Sequence, residues 1–459
     1  MIRPRAIASL IIIVAAAFTG FNCSLNLNPI VPPVGVRVQQ IHDSLATAEE
    51  YWPGFDPAGR PVLLIRQTES WLMNHPNPPE GWSAVAGWES TVTAPGNPFA
   101  LSSDGTLLIN EIQTSVVYID SADHDSISGY AARALHEDFD AYIRERFYTW
   151  TANEEELFFY PYSDKSLLKW QMIESEGLQE ALKAVEKGQL DTAATWIAHA
   201  VKARLNFNAE APPFASEYVR LIELQEGLPW YVDMRARQLE PAMLYMNSMY
   251  ANADEIRRRA QVSGAARAFL LDEFFPDWKT ILTRRANTNP DLNDLLRSVA
   301  NRRGLLDDPL PESIIREYDR RAGGRIRSFN TRRRTLAYEW SHAQGYHLNV
   351  DLSEYPMIAT GFDLFNVLRL EDDRLLHEKW LRLTNNRGTI EARNQWMMTS
   401  PAGEHPLFSG ISRFEIAGLG SPPDVSEHGD TLLVRWNQGE IRLLNAQISD
   451  RSGVITIKL

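Results

Sequence analysis

The spacing of apolar residues changes once along this chain, and that change limits the folds it can adopt. From Asn153 to about Arg303, apolar residues recur at the period of amphipathic helices. From about Tyr338, short β-rich runs alternate with turn residues, which is typical of an antiparallel sandwich or partial barrel. Before the helical region, short strands between Pro and Gly residues predict a small sheet, near residues 62–66, 106–110 and 115–120. We therefore expect an α+β protein with a small N-terminal sheet, a central mostly helical domain and a C-terminal antiparallel β-domain.

These changes in pattern divide the chain into five segments. The predicted segments are a leader (1–23), a tether (24–40), a central domain (41–310), a basic linker (311–337) and the β-domain (338–459). The tether contains several prolines and has no helical period, which is typical of an extended connection. The basic run between Arg316 and Arg334 is interrupted by Gly323 and Gly324, and we interpret it as a solvated linker.

The first residues are typical of an export signal. Arg3 and Arg5 precede the apolar run Leu10–Phe18, which is too short for a comfortable membrane span. The single cysteine, Cys23, follows this run and predicts lipid attachment of the bacterial lipoprotein type. Cleavage near Ala15–Ala17 is the alternative. We expect an exported protein of the bacterial cell envelope, anchored to the membrane through its N-terminal lipid or signal.

The charge of the chain bears on its partners. The formal net charge is −13 over 459 residues. Such an acidic surplus repels the phosphate backbone, so nucleic acid is not an expected partner. One cysteine also excludes a disulfide bond within the chain.

The stretch from Ser126 to Tyr148 carries the residues most suggestive of chemistry. Its apolar residues have helical spacing, and Asp125 or Ser126 can cap the helix start. His136 and Asp140 are four residues apart, so both project from one helix face, with Glu137 beside them. A His-Glu-x-x-His helix supplies two zinc ligands and a general base, and here an Asp stands where the second His would be.

A second stretch can complete such a site. Glu223 and Glu226 are three residues apart and share one face of a predicted helix, so one can bind metal while the other supports it or the substrate. Tyr231, one turn further, is either a donor to an oxyanion or an ordinary core tyrosine.

Together these stretches resemble the gluzincin metallopeptidases. HEDFD, from His136 to Asp140, is similar to their HExxH helix, and ELQEGLPWYVDMRA is similar to their later EGLAxY helix. Further segments resemble a group of bacterial gluzincin-like proteins: Trp150, Asn153-Glu154, Tyr160-Pro161, the segment SGAARAFLLDEFFPDWK, WPGFDP near Trp52 and HPLFSGI near His405. The resemblance covers most of the chain after its leader.

The resemblance implies a role for each matching residue. His136, Asp140 and Glu226 would be metal ligands, and Glu137 would be the base in a peptide-hydrolysing site. The metal implied is zinc, although one imidazole and two carboxylates favour Mn or Fe more than a two-His site does. Two departures from the family pattern matter: Asp140 replaces a His, and Pro229 replaces the usual Ala.

The same residues permit a non-catalytic interpretation. Asp140 and Arg144 are four apart in the order that favours an ion pair, and His136 can hydrogen-bond Glu226. The protein would then be an inactive pseudopeptidase that serves as a binding or scaffold module. The direction in which Asp140 points distinguishes the two interpretations.

Overall fold

The computed structural model describes residues 34–46, 51–88, 90–99, 101, 103–119, 126–245, 253–370, 373–451 and 453–459. The predicted leader, Cys23 and most of the predicted tether lie outside these residues. The chain forms two compact units, one within Met1–Glu49 and Asp56–Ala134 and the other comprising Glu50–Phe55 and Leu135–Leu459. The boundaries predicted at 310 and 338 both lie inside the second unit.

Ten helices lie in the described residues. They are α1 Val34–Ala46, α2 Ile127–Arg146, α3 Lys165–Glu186, α4 Leu190–Glu210, α5 Pro213–Ile222, α6 Leu228–Ala236, α7 Ile256–Phe274, α8 Trp278–Arg284, α9 Leu292–Arg302 and α10 Glu312–Ser341. A π-helical segment, Glu223–Gly227, joins α5 to α6 without a break. Across the described parts of the chain, no helix combines the length and apolarity needed to cross a bilayer.

The first unit contains a six-stranded sheet. Its strands are β1 Val62–Ile65, β2 Glu69–Met73, β3 Ser83–Ala84, β4 Thr91–Pro95, β5 Gly105–Ile109 and β6 Ile112–Tyr118. They lie in the order β3-β4-β2-β1-β6-β5, and only the pairing of β1 with β6 is parallel. β1 is buried along its whole length, which explains why VLLI has no polar alternation.

The C-terminal region contains two sheets that share one apolar core. Its strands are β7 Tyr346–Asp351, β8 Ile358–Phe362, β9 Val367–Arg369, β10 Leu375–His377, β11 Trp380–Asn385, β12 Gly388–Arg393, β13 Met397–Pro401, β14 Ile411–Leu419, β15 Asp424–His428, β16 Thr431–Trp436, β17 Gly439–Leu444, β18 Gln447–Arg451 and β19 Val454–Lys458. The sheet orders are β18-β19-β7-β14-β13-β10-β9 and β15-β16-β17-β12-β11-β8. Alternate residues such as Leu348 and Ile390 meet in this core. The predicted α+β class and C-terminal antiparallel sheets are confirmed; the one parallel pairing here joins β19 to β7.

The predicted basic linker is mostly helix. Residues from Glu312 onward form the 30-residue helix α10. Its buried side chains are Tyr318, Ala322, Phe329 and Trp340, which are spaced to lie on one stripe of the helix. Many arginines lie between these positions, so the apolar stripe was not recognised in the sequence. The glycine pair, Gly323 and Gly324, does not interrupt the helix. The last predicted tether residues, from Val34, are helical as well.

The helices around the π-helical segment approach one another at glycines. A Cβ at Gly264 in α7 would lie 2.3 Å from the carbonyl oxygen of Glu223, and one at Gly227 would lie 2.7 Å from the Cα of Gly264. Only glycine permits this separation, because the neighbouring atoms belong to the backbone and cannot rotate away. Gly264 is therefore a residue of close helix packing.

We expect Gly264→Ala to lower the free energy of unfolding by about 2–3 kcal/mol, because α7 must move away from the π-helical segment. Gly324→Ala is the matched control. A Cβ there would meet only the Arg327 side chain, at 4.0 Å, so replacing a helical glycine should raise stability by about 0.5–1 kcal/mol. Urea denaturation monitored by circular dichroism measures both. Equal effects of the two changes would contradict the packing argument.

Candidate functional site

Helix α2 forms as predicted and carries the first candidate residues. The backbone N–H of Gly129 donates to the Ser126 hydroxyl at 3.0 Å, so Ser126 caps the helix, whereas Asp125 lies outside the described residues. Phe139 is fully buried, and its ring lies 5.6 Å from that of Trp52. Asp140 is buried as well, while His136 and Glu137 are half-buried.

Asp140 is held by the arginine one turn along the same helix. The Arg144 Nε donates to Asp140 Oδ1 at 3.1 Å, and Arg144 Nη2 donates to Oδ2. Both carboxylate oxygens therefore face a guanidinium in a bidentate arrangement. This is the direction of Asp140 that the non-catalytic interpretation predicted.

Electrostatics places Asp140 and Glu226 in one neighbourhood. Burial raises the pKa of Asp140 to about 6; Arg144 opposes this shift, and the Glu226 carboxylate adds to it. Arg257 also lowers the pKa of Asp140. The structure thus brings together the two carboxylates that the sequence assigned to one site, together with two arginines.

Glu226 is paired with an arginine from another helix. Arg257, in the first turn of α7, donates from Nη2 to Glu226 Oε1 at 2.7 Å and from Nε to Glu154 Oε1 at 3.0 Å. Gln225 Nε2 lies 3.4 Å from the same Glu226 oxygen. The role of Arg257 was not predicted from the sequence. The only available signal for it was a run of three arginines in a segment that otherwise packs as a helix.

Glu223 lies elsewhere. It is fully buried, and it accepts hydrogen bonds from Arg204 Nη2 and from Arg267 Nη1, the latter at 2.6 Å. The bonding of a π-helix places more residues in each turn, so positions three apart separate further around the axis than in an α-helix. The predicted supporting role of Glu223 beside Glu226 does not match this position.

Tyr231 hydrogen-bonds to residues of α7 and α8. Its hydroxyl donates to Asp272 Oδ2 at 2.6 Å and accepts from Lys279 Nζ at 2.7 Å. The ring is fully buried, 4.9 Å from that of Phe269. These contacts match the alternative of an ordinary core tyrosine. They do not match the predicted contact with substrate.

The arrangement of these residues does not fit a metal ion. Asp140 accepts from Arg144 through both oxygens, and Glu226 accepts from Arg257, so a guanidinium already balances each of the two candidate carboxylate ligands. Binding a metal would require both guanidiniums to leave carboxylates that are buried or nearly so. Within the described residues, no group of three or more His, Cys, Asp or Glu side chains is placed to hold a metal ion.

Comparison with known proteins identified no relative of this chain. No family model, curated protein or solved structure matches this chain.

We expect Arg144→Ala to lower the free energy of unfolding by about 1–2 kcal/mol at pH 8, because a buried carboxylate loses its bidentate partner. The ionised carboxylate requires this partner and the protonated one does not. Arg144 lowers the pKa of Asp140, so the variant's pKa lies higher than in the wild type. The loss should therefore be complete at pH 8 and should shrink as the pH falls towards the wild-type Asp140 pKa of about 6 and below.

Arg146→Ala is the control for this change, since it removes a guanidinium from the exposed end of the same helix. Urea denaturation of both variants between pH 4.5 and 8 measures the difference. A loss in Arg144→Ala that stays constant with pH would contradict the pairing with Asp140.

Proposed function

We propose that this chain is a non-catalytic binding protein built on a metallopeptidase-like site, in which two arginines neutralise the carboxylates that a metal would require. One observation carries the proposal: Arg144 and Arg257 hold Asp140 and Glu226, respectively. The two carboxylates lie on the two stretches that resemble the gluzincin ligand helices.

The chemistry of arginine supports a binding role over hydrolysis. A guanidinium balances charge and donates hydrogen bonds, but it has no open coordination position for water. The usual route to hydrolysis at such a site is a metal that makes its bound water acidic enough to attack.

The remaining sequence features suggest where this binding takes place. The positively charged and apolar leader, with Cys23 after it, supports export and attachment to the bacterial envelope membrane. The resemblance to peptidases supports a peptide or protein as the ligand. We therefore propose that the protein acts in the cell envelope as a membrane-tethered binding or scaffold module.

A second candidate function is metal-dependent peptide hydrolysis, with Glu137 as the base. One observation favours it: Glu226 contributes to the raised pKa of Asp140, so the carboxylates of the two candidate helices are neighbours. This function requires Arg144 and Arg257 to turn away from those carboxylates in the active protein. Because the observed arrangement does not fit a metal, the binding role is the better supported proposal.

Metal retention tests the two functions directly. The purified chain is incubated with Zn²⁺, Mn²⁺ or Fe²⁺, dialysed and analysed for elemental content. We expect the wild type to retain less than about 0.1 equivalent of any of these metals, because arginine already neutralises its candidate ligands.

Three variants complete this test. If the wild type retained about one equivalent, and lost it in Glu226→Gln but not in the exposed-residue control Glu145→Gln, the non-catalytic proposal would be overturned. Asp140→His removes the partner of Arg144 and supplies the missing imidazole. We expect it to retain more zinc than the wild type, since both helices keep their positions.

A further inference from the structure

The long helix α10 has a packed side and an exposed side. Its buried side chains, from Tyr318 to Trp340, form one stripe against the apolar core. An α-helix turns by about 100° per residue, so a second set of positions lies on the opposite side of α10. These residues, all of them exposed, are Arg316, Arg320, Arg327, Thr331, Arg334 and Tyr338. We call them the arginine row; it extends for about 33 Å along the helix.

The arginine row differs in charge from the rest of the chain. Four of its six residues are arginines and none is acidic, whereas the whole chain carries a net charge of −13. A straight line of exposed cations on an acidic protein produces a local potential of the opposite sign. An anionic partner is therefore attracted to this side of α10 and repelled by much of the remaining surface.

The carboxylates in the first half of α10 are already paired. Glu312 accepts from Arg316 at 3.3 Å, Glu317 lies 3.9 Å from Arg321, and Asp319 accepts from Lys165 of α3 at 2.8 Å. Each pair is neutral as a unit, so its cation adds no net charge to this side of the helix. Arg334 also has an interaction of its own, and the charge of the row is argued without it.

Two arginines of the row remain after this subtraction. Among the residues that the structure describes, no carboxylate pairs with Arg320 or Arg327. They are seven residues apart, so their side chains project from the same side of the helix about 10 Å from each other. Gly323 and Gly324 lie between them and add no side chain that would screen their charge. The middle of the row therefore presents two uncompensated guanidiniums to solvent.

The row ends in an exposed aromatic residue. Tyr338 is 62 % exposed, and the centre of its ring lies 3.9 Å from that of His342. Tyrosine is enriched at the headgroup level of membranes, because its ring is apolar and its hydroxyl is polar. Arginines in line with an exposed tyrosine are thus a combination suited to a lipid surface.

A phospholipid surface also fits the row in shape and chemistry. Guanidinium N–H groups donate in pairs to phosphate oxygens, and headgroups present phosphates over a plane that a straight line of side chains can touch. The predicted leader and Cys23 would hold the chain near a membrane, which raises the effective concentration of lipid at its surface. Both arguments favour lipid over an acidic protein.

We propose that the arginine row of α10 docks on the headgroups of anionic phospholipids. Docking holds the folded protein against the membrane to which its N-terminus is tethered, and Arg320 and Arg327 supply the charge. This inference rests on the membrane attachment proposed above and names the surface that makes the contact. Lipid docking and metal retention are separate measurements, so either proposal can fail while the other stands.

Vesicle co-sedimentation of the full chain tests the docking. One set of vesicles is phosphatidylcholine alone, and the other contains about 30 % phosphatidylglycerol, which supplies the anionic surface. An N-terminal anchor inserts into both, so the ratio of the two partition coefficients isolates the effect of charge. Binding to the anionic vesicles alone would count against the tether and still support the docking.

We expect the wild type to favour the anionic vesicles at least about five-fold in roughly 50 mM salt. Each arginine near such a surface contributes about five-fold, and the acidic remainder of the chain opposes part of this gain. The preference should disappear in about 0.5 M salt, because counterions screen exposed charges.

Two double variants locate the contact. Arg320→Gln with Arg327→Gln should reduce the preference to less than about two-fold, and glutamine at these exposed helical positions keeps the helix folded. Arg435→Gln with Arg442→Gln is the matched control. It removes the same charge from exposed arginines of β16 and β17, and the preference should stay within about two-fold of the wild type. Circular dichroism establishes that both variants fold.

Three results would overturn the proposal. The first is an equal partition of the wild type into the two sets of vesicles, which would favour an acidic protein as the partner of the row. The second is an equal loss of preference in the two double variants, which would reduce the effect to net charge. The third is a preference that persists in high salt, since it would not arise from exposed arginines.

Discussion

A buried set of four charges fixes the helical region. Glu174 of α3, Arg204 of α4, Glu223 of the π-helical segment and Arg267 of α7 are each at most 3 % exposed, and the two arginines bridge the two carboxylates. Removing four charges from water is costly, so the set tolerates only an arrangement in which every charge is paired. Four elements that are far apart in sequence are thereby held in one relative position.

The position of the candidate site follows from this set. Glu223 is anchored among the buried charges, and Glu226 follows it within the same π-helical turn, so the anchor determines where Glu226 points. The close approach of Gly264 to the backbone of Glu223 places α7 against this turn and brings Arg257 to Glu226. The ion pair at the candidate site therefore depends on buried packing one turn away, and not on local helix chemistry alone.

The sequence predicted the helices of the candidate site well and their long-range pairing poorly. The periodic spacing in α2 and the EGL stretch predicted both helices, because backbone period is a local property. The partner of Asp140 was foreseen, since Arg144 is only one turn away. The partners of Glu223 and Glu226 were not, because Arg204 and Arg257 are 19 and 31 residues distant and no spacing rule connects them. The π-helical turn was not predicted for a related reason, because only tertiary packing reveals it. Its bonding placed Glu223 away from Glu226.

Arg257 connects the candidate site to the neighbouring helices. It donates to Glu226 of the π-helical segment and to Glu154, and Glu154 in turn accepts from the Tyr218 hydroxyl of α5. One guanidinium therefore balances two carboxylates, and its position in the first turn of α7 follows from the packing of that helix against the π-helical segment. A change at either carboxylate would alter the donors that Arg257 offers to the other, because the two share one guanidinium.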